Sequence, residues 1–210
     1  MATNELIQKT GTVGNCCTMT VGNCSTIDCG AGCILTAGNR SILTGGDGCF
    51  LTGGDDSTIT GGACSTIAGG DRSTIDCGDG CIITGGERST IDCGDRCTVS
   101  AADRCIMTGG ESCTMTGGRR SAITGGCYSS ITGGDGSTLT GEDCTAITGG
   151  RGSILTGGEG SILTGGGDSA LCWRVSDGNR HRLHVAFVGR GGIRANTAYK
   201  LIDGKPTIAE

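Results

Sequence analysis

The chain has 210 residues, and its composition excludes several common kinds of protein. It contains 44 glycines and one proline but only one Trp, two Tyr and two Phe, which excludes a core built on aromatic side chains. The glycines lack the three-residue period of collagen, and regularly recurring Ile and Leu argue against a disordered linker. The net charge of −5 is uneven: residues 1–172 carry 9 basic and 18 acidic residues (−9), and residues 173–210 carry 7 and 3 (+4).

Residues 1–16 precede the first repeat, and we predict that they form an N-terminal cap or a first coil. Met1 to Gln8 lacks the basic and apolar segments of a signal peptide, and no apolar run approaches membrane-spanning length. We therefore expect a cytoplasmic location by default and no membrane partner.

From residue 17 to residue 176 the sequence divides into twenty consecutive eight-residue repeats without an insertion or deletion. Repeat position 3 is aliphatic in all twenty, from Met19 and Ile27 to Leu171. Because side chains alternate between the two faces of a strand, positions 1, 3 and 5 are predicted to point inward and positions 2 and 4 outward. Position 6 is Gly in 17 of the 20 repeats, which predicts a Gly-rich corner with a bend at positive φ.

The number of repeats in one coil follows from residues that recur in alternate repeats, since stacked positions tend to share chemistry. Cys occupies position 1 seven times, and only Cys105 is out of phase with the others, which are Cys17, Cys33, Cys49, Cys81, Cys97 and Cys113. One coil is therefore sixteen residues, with two strands and two turns. The predicted fold is an all-β solenoid of about ten such coils over residues 17–172, with a small β-rich C-terminal cap.

Residues 173–210 are predicted to form this basic capping region. Residues 173–188 resemble a hairpin around a turn at 177–179, and a second short strand pair is expected before the C-terminus. His181 and His184 with the neighbouring arginines suggest a metal or phosphate site, but neither histidine has a third ligand in the pattern, so a basic cap is favoured. The modest positive charge and the few aromatic residues argue against nucleic-acid binding.

The segment Gly134–Gly141, with the sequence GDGSTLTG, resembles the octapeptide of bacterial ice-nucleation proteins, and the resemblance covers about residues 17–172. It implies two repeats per coil, outward Thr-x-Thr pairs that order water into an ice-like layer, and Arg-bearing C-terminal coils that help molecules assemble. Both outward positions are Thr in four repeats: Thr18/Thr20, Thr58/Thr60, Thr114/Thr116 and Thr138/Thr140.

Position 4 follows the resemblance more closely, with Thr in 14 of the 20 repeats. The candidate ice-binding residues, all in the Cys-bearing phase, are Thr18, Thr20, Thr36, Thr52, Thr84, Thr116, Thr132, Thr148 and Thr164. Asp28, Asp76 and Asp92 interrupt the opposite face, so ice or ordered water is expected as the partner of the first face. Thr also suits exposed strand positions in any solenoid. The alternative is therefore a structural or interaction rod, such as a spacer, fibre segment or phage or surface scaffold, without ice activity.

The segment Ser-Thr-Ile-Asp-Cys-Gly-x-x-Cys occurs three times and gives the pairs Cys29/Cys33, Cys77/Cys81 and Cys93/Cys97, each spanning one turn with both ends inward. A disulfide would clip the corner, whereas reduced thiols would pack as a ladder, and the sequence leaves both open. Because no repeat contains His, zinc is disfavoured, and we predict neither a metal nor another cofactor.

Position 8 carries Arg in the Cys-bearing phase, at Arg40, Arg72, Arg88, Arg104 and Arg120. Several of these follow an acidic residue, as in Asp71-Arg72, which predicts a charged turn edge that is either simply solvated or a surface for self-association. No residue type in the repeats offers a nucleophile with a base in reach, so the protein is not expected to be an enzyme.

Overall fold

The structure is a computed structural model that describes residues 10–176 and 180–209. Parallel coils of about 16 residues form a β-solenoid of about ten turns, which confirms the predicted fold class. Within the described ranges no helix has the length and apolar character needed to cross a membrane.

The chain divides into two compact units, Met1–Ala102 and Asp103–Glu210. In each unit the odd-numbered strands form one sheet, here called face A, and the even-numbered strands form a second, face B. Face A of the first unit consists of β1 (Thr10–Val13), β3 (Thr26–Cys29), β5 (Ile42–Gly45), β7 (Thr58–Gly61), β9 (Thr74–Cys77) and β11 (Thr90–Cys93). Face B of the first unit consists of β2 (Thr18–Thr20), β4 (Ile34–Thr36), β6 (Phe50–Thr52), β8 (Thr66–Ala68), β10 (Ile82–Gly85) and β12 (Thr98–Ala101).

The second unit continues the alternation of strands. Its face A consists of β13 (Ile106–Gly109), β15 (Ala122–Gly125), β17 (Thr138–Gly141), β19 (Ile154–Gly157), β21 (Ala170–Ser176) and β22 (His181–Phe187). Its face B consists of β14 (Thr114–Gly117), β16 (Ser130–Gly133), β18 (Ala146–Gly149), β20 (Ile162–Gly165), β23 (Ala198–Ile202) and β24 (Lys205–Ile208).

The register of the strands confirms the sixteen-residue coil. Ile27 pairs with Leu43, and Leu43 pairs in turn with Ile59, so each residue stands beside the residue sixteen positions later. The position 3 side chains from Ile27 to Leu171 are at most 2 % exposed. This aliphatic column is the core, and the predicted inward and outward positions are confirmed.

Position 1 forms a buried ladder in which Ser and Cys have the same role. The Ser25 N–H donates to Ser41 Oγ at 3.3 Å, and the Cys33 N–H donates to Cys49 Sγ at 3.4 Å. The Cys49 thiol also donates to a backbone carbonyl oxygen, that of Gly30, at 3.2 Å. Since buried hydroxyl and thiol groups both find partners here, Ser and Cys make equivalent stacking contacts at position 1.

The turns correct one prediction. The left-handed residue is at position 8, which is non-glycine in most repeats, for example Arg40 (φ 57°) and Cys64 (φ 56°). The glycines at position 6 are needed for a different reason, close approach of successive coils. A Cβ on Gly62 would lie 2.6 Å from the backbone nitrogen of Asp47, a distance that side chains do not tolerate.

Acidic and amide side chains at position 7 join the turns of successive coils. Asp47 Oδ1 accepts the Ala63 N–H at 2.8 Å, and Asp135 Oδ1 accepts the Arg151 N–H at 2.8 Å. Asp and Asn at this position therefore satisfy a backbone donor that the corner would otherwise leave to water.

The C-terminal strands change from parallel to antiparallel pairing. β21 pairs with β22, β20 with β23 and β23 with β24, which confirms the predicted hairpin and second strand pair. The predicted turn at 177–179 lies outside the described residues, as do residues 1–9 of the predicted N-terminal cap. Trp173 is 1 % exposed, and its Nε1–H donates to the Ser161 carbonyl oxygen at 3.2 Å.

Candidate water-ordering face

The outward side of face B carries two parallel rows of side chains, at repeat positions 2 and 4. In the first unit Thr20 pairs with Thr36 and Thr36 with Thr52, all exposed and in register. The row then passes through Ala68, Thr84 and Ser100. Because adjacent parallel strands lie about 4.8 Å apart, neighbouring side chains in this row have the same spacing.

The second unit has an unbroken threonine row on face B. Thr116, Thr132, Thr148 and Thr164 follow one another in register. Thr164 alone is half-buried, because β23 pairs with β20 and places Ala198 beside it. The available row of this unit therefore consists of the three preceding threonines.

The position 2 row of face B is semi-apolar. Ile34, Phe50 and Ile82 are 47 %, 55 % and 57 % exposed, and Thr18 and Thr98 lie in the same row. Over positions 2 and 4 of β2 to β20, face B carries no charged residue. Its surface is therefore a neutral strip of methyl and hydroxyl groups.

Face A differs between the two units. In the first unit Asp28, Asp76 and Asp92 are exposed at position 4, and Asp76 pairs in register with Asp92. In the second unit position 4 of face A is an unbroken row that the sequence interpretation missed, namely Thr108, Thr124, Thr140 and Thr156. These threonines are evident in the sequence, but the three aspartates that interrupt face A all lie in the first unit.

The arginines at position 8 lie on the turn edge, and Arg72 pairs with an acidic residue of the preceding coil. Arg72 Nε and Nη2 donate to the two carboxylate oxygens of Asp56 at 2.6 and 2.9 Å, one coil earlier, rather than to Asp71. The Arg72 hydrogen bonds hold the pKa of Asp56 below its ordinary value. Asp71 instead accepts the backbone N–H of Glu87 at 2.8 Å. In the second unit Arg104 and Arg120 line a surface groove with Arg119.

The cysteine pairs predicted from the sequence are brought together, and within the first unit a third thiol joins two of them. The Sγ atoms of Cys29, Cys33 and Cys49 lie within 4.8 Å of one another, as do those of Cys77, Cys81 and Cys97. The Sγ atoms of Cys93 and Cys97 are equally close. All sixteen cysteines lie in the part of the chain that the structure describes, and none of them forms a disulfide there.

The clustered thiols are buried, and burial raises the pKa of two of them. Burial, reinforced by a hydrogen bond with Cys33, raises the pKa of the Cys29 thiol to about 12. Burial and a hydrogen bond with Cys81 raise the pKa of Cys77 well above its ordinary value. Neither thiol is ionised at neutral pH in the absence of a ligand.

The C-terminal region offers few exposed rings. Trp173 and Tyr199 are buried, and the Tyr199 hydroxyl accepts the Arg194 N–H at 2.9 Å. Phe187 is exposed, and the Arg190 guanidinium lies over its ring, 5.9 Å from the ring centre. Of the three aromatic residues in this region, two are therefore buried and unavailable for base stacking.

Comparisons of the chain with protein-family models, with curated proteins and with solved structures find no match.

Proposed function

We propose that this protein is a non-enzymatic solenoid whose face B orders water or binds ice. The observation that carries the proposal is the in-register threonine row on an uncharged strand surface, exemplified by Thr20, Thr36 and Thr52 in the first unit and by Thr116, Thr132 and Thr148 in the second. The resemblance of the repeat to the ice-nucleation octapeptide supports the same proposal.

The physical basis is a rigid array of identical groups. Parallel stacking repeats each hydroxyl and each methyl at about 4.8 Å, a spacing fixed by backbone hydrogen bonds. Thr is β-branched and has few side-chain rotamers, so its hydroxyl and methyl groups are held nearly in place. Water beside such a surface meets a periodic pattern rather than the mobile charged chains of an ordinary protein surface.

The absence of charge on face B matters as much as the threonines do. A charged group binds its own hydration shell and would disturb an ordered water layer. Face A of the first unit has such groups at Asp28, Asp76 and Asp92, whereas positions 2 and 4 of face B have none along its strands from β2 to β20. The two sides of the first unit are thus chemically unequal.

A second candidate function is an interaction rod that binds another protein through face B. It is favoured by the exposed Ile34, Phe50 and Ile82, since large apolar side chains along a strand surface are typical of a protein contact. The irregular order of residues at position 2 supports it as well. A cytoplasmic location and self-association through the charged turn edge stay predictions.

The test of the leading proposal uses the purified full-length chain. Droplet freezing, thermal hysteresis and partitioning into a growing ice front are measured against buffer and against a non-repeat protein of equal mass. We expect incorporation into ice together with a measurable hysteresis, because each uninterrupted threonine run is short and favours adsorption over strong nucleation. Freezing identical to buffer, with exclusion from the ice front, would reject the proposal in favour of the rod.

A further inference from the structure

We propose that the two buried three-thiol clusters of the first unit, Cys29/Cys33/Cys49 and Cys77/Cys81/Cys97, are binding sites for Cu(I). The water-ordering role neither requires this site nor explains it. The proposal is carried by the convergence of three sulfur atoms and by the pattern in which cysteine occurs at position 5.

The geometry fits three-sulfur coordination. An ion bonded to three sulfurs at about 2.3 Å in one plane needs sulfurs about 4.0 Å apart, taking the metal–sulfur length of thiolate sites. In each cluster the three Sγ atoms lie within 4.8 Å of one another. Small side-chain rotations are therefore enough to close either cluster around one ion.

Position 5 is an unfavourable place for a side chain, which argues that its cysteines are not fillers. A Cβ on the equivalent Gly45 would lie 3.1 Å from both Cys49 Sγ and Leu51 Cδ2, closer than ordinary contact. Most repeats accordingly have Gly there. A cysteine at this position is therefore crowded by its neighbours, although the core packs without any side chain there in most repeats.

The places in the sequence where cysteine occupies position 5 also argue that these cysteines are not fillers. Within the repeats, Cys occurs at position 5 only at Cys29, Cys77 and Cys93. Each is followed by a cysteine four residues later and by another twenty residues later, the two positions that the sixteen-residue coil places beside it. An inert core residue would have no reason to appear only where two further thiols converge.

The ligand set selects the metal. Three sulfurs with no nitrogen or oxygen ligand favour a soft ion. Zinc and iron–sulfur clusters take four protein ligands in closed sites. In the described part of the chain no fourth His, Cys, Asp or Glu lies within 4.8 Å of all three sulfurs of either group, although Cys93 Sγ lies within that distance of Cys97 Sγ. Cu(I), which accepts three thiolates, is the ion that this arrangement fits.

Backbone N–H groups face the sulfurs that would become thiolates. The Cys33 N–H donates to Cys49 Sγ at 3.4 Å, and the Cys81 N–H donates to Cys97 Sγ at 3.3 Å. When Cu(I) binds, the S–H bonds of the coordinating cysteines break, Cu–S bonds form and the protons pass to solvent. No electron is transferred. The N–H donors offset part of the negative charge that this leaves in the interior.

The experiment compares two triple variants of the full-length chain. The first replaces every position 5 cysteine by the common residue at that position, as Cys29→Gly, Cys77→Gly and Cys93→Gly. The matched control removes three exposed turn cysteines, as Cys16→Gly, Cys24→Gly and Cys64→Gly, at residues whose backbone has positive φ and accepts glycine. Each reduced protein is loaded anaerobically with Cu(I) and dialysed against a Cu(I) chelator.

The natural chain and the control are expected to retain copper with three sulfur neighbours per ion in X-ray absorption. The position 5 variant is expected to lose about tenfold or more in affinity while its circular dichroism is unchanged. Equal copper retention by the position 5 variant would overturn the proposal. So would two-sulfur coordination, preferential binding of zinc over Cu(I), or an equal loss in the control.

Discussion

The first and second units share one scaffold and differ in what they place on it. Both have the aliphatic column at position 3 and the Ser or Cys ladder at position 1. The first unit holds two complete thiol clusters and exposes three aspartates on face A, whereas the second has threonine rows on both faces. The comparison teaches that positions 1, 3, 6 and 7 carry the stacking contacts, so differences at positions 2, 4 and 5 report on function.

The largest expected effect on the free energy of unfolding comes from the aliphatic column, and it tests whether this column stabilises both units equally. Leu51→Ala in the first unit and Leu139→Ala in the second each remove a side chain that is at most 1 % exposed. Each should lower the free energy of unfolding by about 2–5 kcal/mol, because the neighbouring coils cannot collapse into the cavity. Urea denaturation followed by circular dichroism measures the loss.

The control for this pair is Thr58→Ala, at an exposed position 2, which should change stability by less than about 0.5 kcal/mol. A loss below about 1 kcal/mol for either core variant would mean that the column in that unit does not hold the coils together.

A smaller effect is expected in the turns. Asp47→Ala in the first unit and Asp135→Ala in the second each remove the acceptor of a backbone N–H in the next coil. Each should lower the free energy of unfolding by about 1 kcal/mol and speed hydrogen exchange at the amide of Ala63 or Arg151. Asp47→Asn and Asp135→Asn keep the acceptor oxygen and are the matched controls. If Asn is as damaging as Ala, charge rather than the hydrogen bond is the cause.

The repeat itself made most of the fold predictable. The aliphatic residues from Met19 to Leu171 gave the core column, and the phase of Cys17, Cys33 and Cys49 gave the coil length. Both signals are strong because a solenoid repeats each local environment many times. The hairpin of β21 and β22 was predictable from the break in the repeat at Trp173.

What could not be predicted depends on contacts between coils that residue type does not reveal. The left-handed backbone at position 8 is not evident from residues such as Arg40 and Cys64, because only some repeats have glycine there. Asp47 has the composition of a solvated turn residue, and its bond to Ala63 appears only in the stacked coils. Cys49 lies twenty residues after Cys29 and completes its thiol cluster. Predicting this contact requires adding the sixteen-residue period of the coil to the four-residue spacing of cysteines across a turn.

The most direct test of the water-ordering proposal separates the two faces. The face B variant carries Thr52→Lys and Thr132→Lys, and the face A variant carries Thr60→Lys and Thr124→Lys. All four residues are exposed at position 4, so each variant should change stability by less than about 0.5 kcal/mol per substitution. Thermal hysteresis and ice partitioning are then compared with those of the natural chain.

We predict that the face B variant loses both activities and that the face A variant retains them. Equal activity in the two variants, or loss only in the face A variant, would contradict the assignment of water ordering to face B.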